Sequence, residues 1–216
     1  MTLSLLEHQH ITDVTYIVFD FETVTHKGFP PEPVELGALR IAPPGRVEAN
    51  FVVDWFIQPP AHTPITPQYA VNWGIRPQDV AGKPLAPAAL TAFDALLHGQ
   101  PHVMVAHNAP YDASLLQRYA EACPHVLQQP FVDTVKLARH LLPALRSHSL
   151  DAVAEHFSLS LPLHRHRALP DVRLTCDVLL RLLALWRERY ADQRLRILHQ
   201  VAGISVGTEP MQPSLF

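Results

Sequence analysis

The stretch that most constrains the fold is a short apolar run that ends in two acidic residues. Ile17, Val18 and Phe19 follow one another without a polar interruption, which is typical of a strand inside a sheet. Asp20 and Glu22 come directly afterwards, and because side chains alternate along a strand, both leave the same face. Carboxylates this close repel unless they are protonated or share a cation, for which Mg²⁺ or Mn²⁺ is suited. A strand running into a polar turn gives the same pattern, so further ligands must decide.

The composition is that of a globular protein. Of the 216 residues, 48% are hydrophobic and 17% are charged, and the net charge of −3 gives no overall basic signal for nucleic acid. Cys123 and Cys176 form no CxxC pattern, which predicts a reducing compartment and neither a disulfide framework nor a zinc site. No apolar run reaches transmembrane length and residues 1–13 do not resemble a signal peptide, so we expect a cytoplasmic protein without membrane contact.

The order of predicted elements indicates an α/β fold. Strands are expected near residues 14–21, 34–41, 46–57, 102–106 and 131–134. Helices are expected near residues 87–97, 111–122, 135–142, 150–157 and 170–190. A three-strand meander followed by alternating helices and strands predicts a mixed five-stranded sheet flanked by helices. We expect an irregular lead over residues 1–13, one domain over 14–203 and a flexible tail over 204–216.

Three further polar residues lie where the ligands of an α/β site would gather. Asp112 falls in the first turn of the helix after the fourth strand, and Asp171 begins the long helix after Pro170. His166 lies on the preceding loop and is free to point at the same cavity. Each residue has a simpler explanation: a first-turn Asp complements the helix dipole, and a loop His is commonly a surface residue.

Together, three segments resemble the motifs of the DEDDh family of 3′→5′ exonucleases. They are Asp20–Thr23, His107–Asp112 and His166–Asp171, which occur in the family's order and spacing within residues 16–190. The family includes the proofreading subunit of bacterial DNA polymerase III, ribonuclease T and exodeoxyribonuclease X. Val135–Arg139 and the His-rich approach to His166 are most similar to exodeoxyribonuclease X.

The resemblance implies a ribonuclease-H-like fold and a metal-dependent enzyme of DNA repair or proofreading that releases 5′-mononucleotides from DNA 3′ ends. By position, it implies that two Mg²⁺ or Mn²⁺ ions are held by Asp20, Glu22, Asp112 and Asp171. It also implies that His166 is the general base, which a neutral histidine can be near pH 7. An exoribonuclease trimming RNA 3′ ends stays open, as does a non-catalytic clamp or nucleic-acid adaptor with the same fold.

Contacts to substrate are predicted from the same motifs and from local chemistry. Trp73 stands in Trp73-Gly74-Ile75, where the family has His-Gly-Ile, and could stack on a base or simply pack. Thr23 precedes a loop longer than the family's usual Thr-Gly. The substrate-contact candidates are Thr23, Trp73, Asn108, Arg165 and Arg167, with Lys136 and Arg139 as further phosphate contacts or solvated surface.

The C-terminal residues resemble the short peptide that binds the bacterial sliding clamp. Gln212 is followed by a spacer and then by Leu215 and Phe216, two apolar side chains that a preformed pocket could accept. An arbitrary apolar end is the alternative. We therefore expect Gln212, Leu215 and Phe216 to be partner-binding residues.

Overall fold

A mixed sheet with helices on both faces forms the body of the protein. The computed structural model describes residues 5–163 and 166–206. Within them, the strands are β1 (Tyr16–Val24), β2 (Glu32–Ala42), β3 (Arg46–Phe56), β4 (Val103–Ala106), β5 (Phe131–Asp133) and β6 (Gly203–Ile204). Their order is β3-β2-β1-β4-β5-β6. The predicted α/β class is therefore confirmed, with one short strand more than expected.

The helices of the described residues connect the strands and cover the sheet. They are α1 (Pro67–Trp73), α2 (Pro77–Val80), α3 (Ala86–Leu96), α4 (Ala109–Arg118), α5 (Pro124–Leu127), α6 (Thr134–Leu141), α7 (Leu150–His156), α8 (Ala168–Arg189) and α9 (Leu195–Ala202). Local chemistry explains several of their ends. Thr66 caps α1 by accepting a hydrogen bond from the Tyr69 N–H at 3.1 Å, and Ser149 caps α7 through the Ala152 N–H.

The direction of the strands determines which of their ends lie together. β1 pairs antiparallel with β2 and parallel with β4, and β4 pairs parallel with β5. The carboxyl ends of β1, β4 and β5 therefore meet at one edge of the sheet. This edge carries Asp20 and Glu22, and the first residues of α4 and α6 follow directly from it.

The alternation of side chains divides β1 between two cores. Val18 belongs to the core formed with α6, α7, α8 and α9. Ile17 and Phe19 belong to the opposite core, with α3, α4 and α5. Because Asp20 and Glu22 share the parity of Val18, their side chains lie on the face that α8 covers.

The described part of the N-terminal lead, in which Leu5 and Leu6 are helical, is packed against the body. Leu6 and Ile11 are buried in the larger core. The Ile11 N–H donates to the Gln193 carbonyl at 2.9 Å, and the Leu195 N–H donates to the Gln9 carbonyl at 2.9 Å. In the part of the chain that the structure describes, no helix has the length and apolar character to cross a membrane.

Candidate active site

Three carboxylates from distant parts of the sequence converge at the end of β1. Asp20 and Glu22 lie on the strand, and Asp171 lies in the first turn of α8. One oxygen from each lies within 4.8 Å of the others. Asp171 is buried and the other two are half-buried. This oxygen-only set suits a hard divalent cation.

A glycine allows α8 to approach closely enough for this arrangement. Gly37 of β2 lies directly opposite Asp20 in the antiparallel ladder. A Cβ atom at residue 37 would come within 2.7 Å of the backbone carbon of Ala168, the first residue of α8. The absence of a side chain there lets the start of α8, and with it Asp171, lie against β1 and β2.

Asp112 lies beside these carboxylates but makes a different contact. It is in the first turn of α4, is only 3% exposed, and accepts a hydrogen bond from the Phe21 N–H at 3.2 Å. Its side chain therefore contacts β1 between the two acidic residues of the strand. Burial raises the pKa of Asp112 to about 8, and the charge of Asp133 adds to the increase, while the Phe21 N–H opposes it.

Asp133 is a buried carboxylate at this edge that the motif search did not single out. Its Oδ1 accepts hydrogen bonds from the N–H groups of Asn108 at 3.0 Å and Val135 at 2.9 Å. It thereby caps α6 and fixes the turn between β4 and α4, where Asn108 has a left-handed φ of 70°. A signal was present, because an Asp directly before a helix is a typical N-cap.

His166 lies on the approach to α8. It is exposed and has a φ of 63°, an uncommon backbone conformation for a non-glycine residue. It precedes Asp171 by five residues, with the start of α8 between them. The structure thus places His166 beside the helix end that carries Asp171.

A buried ion pair holds this approach in place. Glu35 of β2 is 1% exposed in its side chain and accepts hydrogen bonds from Arg167 Nη2 at 2.7 Å and Nε at 3.0 Å. It also accepts one from the Ala168 N–H at 3.1 Å. Arg167, predicted as a substrate contact, is therefore engaged with Glu35 here. No local sequence pattern indicates this pair, which joins residues 132 positions apart.

Aromatic and hydroxyl side chains border the far side of the cluster. The Thr23 and Tyr111 hydroxyl oxygens are 2.6 Å apart, and the Tyr69 hydroxyl donates to the Thr23 carbonyl at 2.9 Å. Trp73 is half-buried and stacks on Tyr69 with ring centroids 5.0 Å apart. The predicted contacts Thr23 and Trp73 are thus joined in one layer through Tyr69.

The other predicted residues are placed unevenly. Asn108 is exposed at the start of α4. Arg165 and the tail residues Gln212, Leu215 and Phe216 lie outside the described residues. The structure therefore groups Asp20, Glu22 and Asp171, brings Asp112 to β1 between the two acidic residues of the strand, places His166 two residues before α8, and leaves the tail prediction untested.

The fold and the acidic edge define a nuclease of the ribonuclease-H-like class, and comparison with known proteins gives the family. The RNase_T model, described as exonuclease, matches residues 17–179. The chain belongs to this family and to its DEDDh 3′→5′ exonuclease type.

Curated relatives include larger polymerase chains. The chain is 31% identical over 173 residues to the PolC-type DNA polymerase III of Caldanaerobacter subterraneus subsp. tengcongensis, covering 80% of this chain and 12% of that one. It is 33% identical over 190 residues to a DNA polymerase III subunit epsilon-like protein of Rhodobacter capsulatus, covering 86% and 26%. The chain thus spans about an eighth and a quarter of these relatives.

Solved structures show the same fold. Exonuclease X in complex with 5′ overhanging duplex DNA is 25% identical with a TM-score of 0.61, over 85% of this chain and 99% of that one. The nuclease domain of 3′hExo, a DEDDh family member bound to rAMP, is 13% identical with a TM-score of 0.70, over 87% and 100%. The second likeness supports the fold alone.

Proposed function

We propose that this chain is a cytoplasmic 3′→5′ exodeoxyribonuclease that releases 5′-mononucleotides and serves DNA repair or proofreading. The observation that carries the proposal is the convergence of Asp20, Glu22 and Asp171 within 4.8 Å at the end of a central strand. Three carboxylates that offer oxygens this close together suit a divalent cation, which a hydrolytic enzyme uses and an adaptor does not need. An enzyme that binds cations there gains a catalytic site.

The carboxylates fit a pair of Mg²⁺ or Mn²⁺ ions held by Asp20, Glu22, Asp112 and Asp171. The raised pKa of Asp112 supports this, because a buried carboxyl with neighbouring negative charge needs either a proton or a cation. When bound, such ions activate water and stabilise the charge that develops on the attacked phosphate. The half-buried Asp20 and Glu22 leave the site open to a strand end.

In this proposal His166 accepts a proton from the attacking water. Its exposure lets it release that proton to solvent. Arg167, held by Glu35, fixes the backbone next to it. Thr23, Trp73, Asn108 and Arg165 remain proposed contacts for the terminal nucleotides.

The choice of DNA rests on the relatives. The curated relatives above are DNA polymerase III chains and exonuclease X is described with duplex DNA. RNA is the second candidate substrate, since a 3′-exonuclease of the same fold is described with a histone mRNA stem-loop. Selectivity depends on contacts to the 2′ position of the sugar.

Degradation of end-labelled strands tests the proposal. Single-stranded DNA, duplex DNA and RNA are incubated with Mg²⁺ or Mn²⁺ and the wild type, Asp20→Asn or His166→Ala. We expect stepwise loss from the 3′ end of DNA, abolished by Asp20→Asn. His166→Ala should reduce turnover by at least 100-fold yet retain Mn²⁺ binding, because the imidazole is not a ligand.

Asp177→Asn is the matched control, since Asp177 is exposed on the same helix as Asp171. It should behave as the wild type. No loss from any 3′ end would overturn the enzyme proposal, and full activity of Asp20→Asn would overturn the site assignment. Faster degradation of RNA than of DNA would show that RNA is the preferred substrate.

We further propose that Gln212, Leu215 and Phe216 bind a bacterial sliding clamp. Affinity for a purified clamp is compared between the full chain and a chain that ends at residue 211. Equal affinities would remove this proposal without affecting the exonuclease.

A further inference from the structure

An open basic groove lies next to the carboxylate cluster, between the end of β4 and the loop that joins α6 to α7. It has a volume of about 550 Å³. We call it the α6–α7 groove, and its polar lining includes His107, Asn108, Arg139, Arg146, His148 and Ser149.

The groove and the carboxylates share one edge of the sheet. β1, β4 and β5 run parallel, so the end of β1 with Asp20 and the end of β4 with His107 point the same way. Neighbouring strands are about 4.8 Å apart. Asn108 lines the groove and begins α4, the helix that carries Asp112. A strand whose end reaches the carboxylates can therefore continue into the groove.

The charge of the groove is uncompensated. Arg139 and Arg146 are exposed, and among the described residues neither lies within 4.0 Å of a carboxylate. By contrast, Arg118 pairs with Glu32 at 2.6 Å. No Asp or Glu is found in the described lining of the groove. Two free guanidinium groups beside an acidic site provide local attraction for an anion in a chain of net charge −3.

Hydrogen bonds fix the shape of the groove before any ligand arrives. His107 Nδ1 is 2.8 Å from the Thr134 hydroxyl, and its Nε2 is 3.1 Å from the His148 carbonyl. His148 Nε2 in turn is 3.0 Å from the Leu142 carbonyl. These bonds tie the α6–α7 loop to the ends of β4 and β5. A preformed wall reduces the entropic cost of binding.

We propose that the α6–α7 groove binds the sugar-phosphate backbone of the substrate strand, upstream of the 3′ end held at the carboxylates. This rests on the proposed function. Arg139 and Arg146 contact phosphate oxygens, for which the planar guanidinium is well suited, and the Asn108 amide is available for a further backbone contact. Because these groups address the backbone, the groove contributes affinity without base preference.

The salt dependence of binding tests the groove without catalysis. A fluorescent 20-nucleotide single strand is titrated in EDTA at several KCl concentrations with the wild type and the Arg139→Ala/Arg146→Ala double variant. Each lost phosphate contact lowers the slope of log Kd against log salt by about 0.7 for single strands. We therefore expect the slope to fall by about 1.4, and affinity at low salt to fall at least fivefold.

Two matched variants separate position from charge. Arg181→Ala/Arg187→Ala removes the same charge from the exposed side of α8 and should leave the slope unchanged. Arg139→Lys/Arg146→Lys keeps the charge and should retain the slope. Thermal unfolding of each variant confirms that it is folded.

Substrate length gives a second readout. With Mg²⁺, the double alanine variant should lose at least fivefold more kcat/KM on the 20-nucleotide strand than on a dinucleotide, which cannot reach the groove. An unchanged salt slope in the double alanine variant, or an equal fall in slope in the control and groove variants, would overturn the proposed role of the groove. If the double alanine variant shows the predicted fall in slope but the wild type degrades nothing, the proposed function is overturned and the groove remains a strand-binding site.

Discussion

The ion pair between Glu35 and Arg167 makes a prediction about which partner can be removed. The Glu35 side chain is 1% exposed, whereas that of Arg167 is 30% exposed. Arg167→Ala therefore leaves a buried carboxylate whose one remaining hydrogen-bond donor among the described residues is the Ala168 N–H. Glu35→Gln instead leaves a guanidinium that can turn to water, opposite an amide oxygen that still accepts a hydrogen bond.

The two substitutions should differ severalfold in cost. Removing one partner of a buried pair costs about 3–5 kcal/mol when the other charge stays buried, which applies to Arg167→Ala. Replacing a charge-assisted hydrogen bond by a neutral one costs about 1–2 kcal/mol, which applies to Glu35→Gln. Arg194→Ala is the control, because its pair with Asp192 lies at the surface, where ion pairs contribute little to stability.

Urea unfolding measures the three costs, and steady-state kinetics on a single strand measures activity. The Glu35 and Arg167 variants should both lower kcat more than they raise KM, since the pair holds the approach to α8 and does not touch substrate. The reasoning is refuted if Arg167→Ala keeps the wild-type urea midpoint while KM rises and the salt slope of binding falls by about 0.7. That result would show that Arg167 leaves Glu35 to contact a phosphate.

Three further substitutions test other contacts. Gly37→Ala places a Cβ about 2.7 Å from the Ala168 backbone. It should lower the free energy of unfolding in urea by about 1–3 kcal/mol and kcat at least tenfold. Full activity would refute the close approach of α8 to β2. Burial lowers the pKa of His102 to about 4. As pH falls, this histidine is therefore protonated in the unfolded chain at a higher pH than in the folded chain. The wild type should therefore lose about 3 kcal/mol of stability between pH 6.5 and 4 relative to His102→Asn, and parallel pH profiles would contradict this. Tyr111→Phe removes the 2.6 Å contact with the Thr23 hydroxyl; it should cost about 1 kcal/mol of stability and raise KM, and an unchanged KM would separate Thr23 from substrate binding.

Features encoded in local patterns were predictable from the sequence. The apolar run before Asp20 became a central strand, and the predicted helix over 170–190 is found at Ala168–Arg189. The spacing of Asp20 and Glu22 placed them on one face because strand periodicity requires it. β6 escaped prediction because two residues carry no periodicity, and its pairing with β5 depends on the packing of α9.

Features that depend on long-range packing were not predictable. Glu35 falls within the predicted second strand with no local sign of a special role, yet it is the buried partner of Arg167. Nothing local distinguishes a glutamate that will meet an arginine 132 residues later. Gly37 likewise has no local sequence pattern that indicates its role, because that role depends on α8 lying across β2. The α6–α7 groove likewise forms from segments that are separate in sequence.

The contact at Gly37 has a consequence for which ions the site accepts. Asp20 and Asp171 are positioned by the touching backbones of β2 and α8, and a packed backbone cannot adjust as a flexible side chain can. Mg²⁺ binds oxygen at about 2.0–2.1 Å and Ca²⁺ at about 2.3–2.6 Å. We therefore expect the proposed site to favour the smaller ion, with the absent side chain at residue 37 contributing to that preference.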